Sequence, residues 1–117
     1  MTQEEKQLLL KDLCARLPYG VKVKSSRRQM VVTLSLDIMT DFHLGCTVKP
    51  FLRPMSSMTD EETEKWFDAI HYYDKTGNPC LTHIDSYDWL NEHHFDYRGL
   101  VSMGLAFEAP DDMYKTE

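Results

Sequence analysis

The sequence predicts a single α+β domain, and three observations predict it. Two Thr-x-x-Glu spacings open helices, at Thr2 with Glu5 and at Thr59 with Glu62. Two runs, 30–38 and 42–48, alternate apolar with polar residues as strands do. Clusters of turn-forming residues separate these segments. A chain of 117 residues has room for one ordinary core, so the expected domain spans 1–117, with a polar tail from about residue 110 that frays.

In the first helix Leu10, Leu13, Cys14 and Leu17 recur at i, i+3, i+4 and i+7, while Lys6, Lys11, Asp12 and Arg16 fall mostly elsewhere. This predicts an amphipathic helix buried on its apolar face. Pro18-Tyr19-Gly20 ends it, because proline cannot continue the ladder and glycine tolerates the reversal. Residues 21–24 read as a short strand, followed by the polar turn Ser25-Ser26-Arg27-Arg28. Met30, Val32, Leu34, Leu36 and Ile38 then face one way, and Phe42, Leu44, Cys46 and Val48 repeat the alternation. A connection this short makes the pair antiparallel.

Phe51-Leu52-Arg53, bracketed by Pro50 and Pro54, is too apolar for a linker and is expected to be an ordered loop. A second helix is expected over about 60–73, with Trp66, Phe67, Ile70 and Tyr73 on its buried face and turn chemistry over 74–79. Ser86, or the competing Thr82, caps a shorter helix that carries Trp89 and Leu90 and ends near His94. Residues 105–108 make a last strand. The expected fold is an antiparallel sheet of three or four strands, two main helices on one face and a short C-terminal helix.

Composition narrows the setting. The chain is 42% apolar and 27% charged, as globular proteins are. No basic leader precedes an apolar stretch, and no apolar run approaches the roughly 18 residues of a membrane span. Cys14, Cys46 and Cys80 are odd in number and widely spaced, which suggests reduced thiols in a cytoplasm. The net charge of −6 is uneven: residues 1–58 carry nine Lys/Arg against five Asp/Glu, and residues 59–117 carry four against fourteen.

Three blocks add a resemblance: 13–22 (LCARLPYGVK), 48–59 (VKPFLRPMSSMT) and 89–100 (WLNEHHFDYRGL). They resemble a group of small hypothetical proteins from phages, prophages and mobile elements of gut Bacteroidales. The resemblance implies a bacterial cytoplasm with a phage or mobile element at work. It implies no activity, cofactor or catalytic residue.

Cys80-x-x-His83 has half-site spacing for zinc, with His71, His93 or His94 as further ligands. The competing reading places His93 and His94 at a helix C-terminus and Cys80 in the core. No nucleophile elbow, phosphate loop, dinucleotide fingerprint or H-E-x-x-H occurs, so neither enzymatic activity nor a cofactor is expected. Lys22, Lys24, Arg27 and Arg28 form a basic hairpin that could contact nucleic-acid phosphates with a mobile tip, or could simply guard a sheet edge. Trp66, Tyr73, Trp89 and Tyr97 stand among the acids of the second half and could anchor a protein partner of host or phage. Protein interaction leads, because it demands no missing motif; nucleic-acid binding and metal binding follow.

Overall fold

The first capping box forms as its spacing predicts: Glu5 N–H donates to Thr2 Oγ1 at 3.0 Å, and Thr2 N–H donates to Glu5 Oε1 at 2.8 Å. It opens α1 (Gln3–Arg16). A computed structural model describes the backbone of residues 1–73, 79–81 and 83–114, and the side chains of 1–67 and 87–114. The buried stripe of α1 is Leu9, Asp12, Leu13 and Arg16. The face expected from Leu10 and Cys14 is therefore corrected, since Leu10 is 42% exposed and Cys14 is exposed. The helix ends in a 3₁₀ turn (Leu17–Tyr19) and at Gly20, whose φ of +72° is the left-handed conformation that glycine adopts without strain.

The short strand β1 (Lys22–Ser25) pairs antiparallel with β2 (Val32–Thr33) on one side and with β3 (Val48–Leu52) on the other. Between β2 and β3 lies α2 (Leu36–His43). Two expected strands, 30–38 and 42–48, are thus replaced by two strand residues, a helix and the start of β3. Leu34 and Ile38 are buried, yet Leu36 between them is 74% exposed, and Leu44 is 63% exposed. Ile38, Asp41 and Phe42 instead share a helical face, with Asp41 buried because β1 and its turn supply partners for it. Phe51-Leu52-Arg53 is likewise not a loop, since β3 runs through Leu52, which is fully buried.

The second capping box, Thr59 with Glu62, opens α3 (Asp60–Ile70). The backbone then enters β4 (His71–Tyr73) rather than extending the helix to Tyr73, and β4 pairs antiparallel with β5 (Pro79–Leu81). Next comes α4 (His83–Glu92), starting earlier than Ser86; Thr82, its competing cap, lies outside the described residues. The last strand, β6 (Phe107–Glu108), pairs with β3 in parallel. The four-stranded sheet runs β2-β1-β3-β6 and is mixed, not purely antiparallel. A chain that leaves β3 and returns only after α3 and α4 can re-enter alongside it in the same direction.

The main core packs Leu9 and Leu13 of α1 and Ile38 of α2 against Val23, Val48 and Leu52 of the sheet, with Val21, Leu34, Leu100, Leu105 and Ala106. α2 contributes Ile38 to this cluster; of the buried face expected on α3, Trp66 is half-buried and Phe67 is 51% exposed, while the side chains of Ile70 and Tyr73 lie outside the described residues. Leu90 and Phe95 are buried, and the guanidinium of Arg53 lies 4.2 Å from the Phe95 ring centroid.

Charge also holds α1 to the chain beyond α4. Arg16 Nε donates to Asp12 Oδ2 at 2.8 Å, with both side chains fully buried, and Arg16 Nη2 donates to Phe95 O at 2.6 Å. Arg98 Nε reaches Asp12 Oδ1 at 3.1 Å. Tyr97 sits under both guanidinium groups, its ring centroid 5.4 Å from Arg16 Cζ and 4.9 Å from Arg98 Cζ. Among the described residues no helix is long and apolar enough to cross a membrane.

Candidate functional site

The turn after β1 is fixed by its own polar groups. Arg28 N–H donates to Ser25 O at 3.0 Å, Ser26 N–H to Thr47 O at 2.8 Å and Thr47 N–H to Ser26 Oγ at 3.0 Å. The start of the turn is therefore tied to the segment leading into β3.

The four basic residues of this hairpin do not form one cationic stripe. Lys22 Nζ donates to Thr33 Oγ1 at 2.6 Å across the β1–β2 pair, and Lys24 is exposed. Arg28 Nε donates to Asp41 Oδ2 at 3.1 Å, while Arg27 Nη1 lies 3.6 Å from Asp41 Oδ1. Ser25 Oγ–H also donates to Asp41 Oδ2, at 3.1 Å. The Arg28 bond, then those from Ser25 and the charges of both arginines, hold the Asp41 carboxyl below its usual range, and the same bond raises Arg28. Arg27, Arg28, Thr40, Asp41 and Asp37 line a polar hollow of about 360 Å³, with two positive and two negative groups. A phosphate entering it would meet carboxylates as well as guanidinium groups.

One side of the sheet ends at β2, which pairs only with β1. Met30 is 69% and Leu36 74% exposed, and these two flank the strand as the most exposed large apolar side chains among the described residues; Val31 is exposed too. From Gln29 to Leu36 the chain carries neither charge nor proline, two of the devices that protect an open edge, so that the edge is guarded by the two-residue length of β2 alone.

The aromatic anchors expected in the acidic half are largely engaged within the chain. Trp89 is half-buried, its ring 4.1 Å from His93 and 6.0 Å from Phe95, and Tyr97 is half-buried beneath Arg16 and Arg98. Trp66 is half-buried, and Tyr73 lies outside the described side chains.

The metal half-site falls partly outside the described region, since the side chains of His71, Cys80 and His83 are not described. Among the described residues no group of three or more His, Cys, Asp or Glu could hold a metal ion. His93 and His94 follow α4, and His94 has a φ of +67°. Burial pushes His93 down. Burial, with Arg16, His93, Arg53 and Lys22 nearby, lowers His94 to about 4. Its Nδ1 is buried without a hydrogen-bond partner, and its ring stacks on Tyr114 at 3.9 Å. A ring so placed stays neutral near pH 7.

No family model matches the chain, and no curated protein or solved structure matches it either. The edge at β2 is hidden by the alternation over 30–38, which extends past the two residues that form the strand. Its signal was the uncharged, proline-free run from Gln29 to Leu36.

Proposed function

We propose that this chain acts by binding another protein, through the open β2 edge and the apolar side chains beside it. The observation that carries this reading is the outermost position of β2, flanked by exposed Met30, Val31 and Leu36. An extended partner segment adding to β2 would gain backbone hydrogen bonds, and apolar residues on it would cover the three side chains. The hollow of Arg27, Arg28, Asp37 and Asp41 would orient the partner through polar contacts at the rim. The mixed charge of that hollow supports a protein over a nucleic acid, whose binding rests on a local excess of cations. The setting, an accessory protein of a phage or mobile element in a bacterial cytoplasm, is supported by the resemblance of blocks 13–22, 48–59 and 89–100.

A photo-crosslinker placed at position 30 tests the reading. It should capture a defined protein from a bacterial lysate. Leu36→Glu should weaken capture about ten-fold, as loss of an interface anchor does. Met103→Glu, at a 44% exposed methionine outside the edge, should leave capture unchanged. Equal loss in both variants, or crosslinks to nucleic acid alone, would overturn the proposal.

A further inference from the structure

A second concave surface lies away from β2. Gln3, Lys6, Gln7 and Leu10 recur on one face of α1, and Met39, Phe42 and His43 on one face of α2. Between them is a groove of about 430 Å³. This is the size of a small-molecule site, and its lining joins an apolar floor to a polar rim of Gln3, Lys6, Gln7, His43 and Thr47. Leu10, Met39 and Phe42 give the floor. Lys6 gives its one fixed cationic side chain, none of the lining residues is acidic, and no ion pair among the described residues uses Lys6. The exposure of Leu10 has its cause here, because the core takes Leu9 and Leu13 and leaves the neighbouring stripe of α1 facing the groove.

We infer that this groove binds a small amphipathic anion, with an aliphatic or aromatic body over Leu10, Met39 and Phe42 and a carboxylate or similar head at Lys6. The apolar body supplies affinity through the area it removes from water. Lys6 supplies the choice of charge. The head stays near solvent, so that choice is modest: about three-fold in favour of an anion and about as much against a cation, or roughly ten-fold between them.

The methionines report on this directly, because Met39 lines the groove while Met30 and Met103 are exposed elsewhere. The full chain, labelled at methionine ε-methyl groups, is titrated with sodium octanoate and in parallel with octylamine. Octanoate should move the Met39 signal to saturation with a dissociation constant on the order of 1 mM, as expected for so few ligand atoms, while Met30 and Met103 stay fixed. Octylamine should bind about ten-fold more weakly, and Lys6→Gln should bring the two within about two-fold of each other. An unmoved Met39 signal, shifts of Met30 and Met103 in parallel with it, or equal binding of octylamine would each overturn the inference.

Discussion

Replacing Arg16 by methionine keeps most of the side-chain volume and removes the charge. The guanidinium is fully buried, bonded to Asp12 at 2.8 Å and to Phe95 O at 2.6 Å. Without it the Asp12 carboxylate, also fully buried, keeps among the described residues only Arg98 at 3.1 Å, and the Phe95 carbonyl loses this donor. Removing one partner of a buried pair costs about 3–5 kcal/mol, much of it from the charge left behind. That is a large share of the roughly 6–18 kcal/mol expected for a domain of this length. With a urea slope of about 1.5 kcal/mol per molar, the unfolding midpoint should fall by roughly 2–3 M, followed by fluorescence of Trp66 and Trp89. Pairing Arg16→Met with Asp12→Leu removes the stranded carboxylate and should recover most of the loss, leaving Arg98 free to turn its partly exposed guanidinium to water. A single-variant loss below about 1 kcal/mol, or a double variant no more stable than the single, would refute this account.

Two further predictions concern the region around Arg53. His94 is held neutral with a folded value of about 4 against 6.5 for the free side chain, so its contribution is complete above pH 6.5 and is lost as pH falls toward 4. After a discount for the part of the ring that water reaches, the loss is on the order of 2 kcal/mol. Urea midpoints between pH 7 and 4.5 should fall more steeply for the native chain than for His94→Asn, whose side chain tolerates the positive φ; parallel profiles would count against it. Arg53 makes two bonds of 2.7 Å to the Glu62 carboxylate and covers the Phe95 ring, and this fork is the main reason that Glu62 is held down at about 2. Arg53→Lys keeps the charge but loses the fork and the flat stack. It should cost about 1–2 kcal/mol in thermal or urea unfolding, and a cost near zero would show that charge alone is enough.

What the sequence determined by itself is the set of features whose partners lie within a few residues. Thr2 with Glu5 and Thr59 with Glu62 close their capping boxes as spaced, and Gly20 ends the first helix in the conformation that glycine favours. The α+β class follows from these and from the short strand before the basic turn. The tertiary structure decided the rest, wherever a polar group finds its partner far along the chain. Asp12 and Arg16 read as outward-facing because they are charged; they are buried because Phe95 O and Arg98 meet them from the other end of the sequence. The run from Met30 to Val48 alternates like two strands, yet Asp41 turns inward to Ser25 and Arg28, which fixes a helix there and shortens β2 to two residues. The same shortening leaves Met30 and Leu36 in solvent beside the edge. Alternation is a local signal, and it cannot register a carboxylate that is buried by a strand lying before it in the chain.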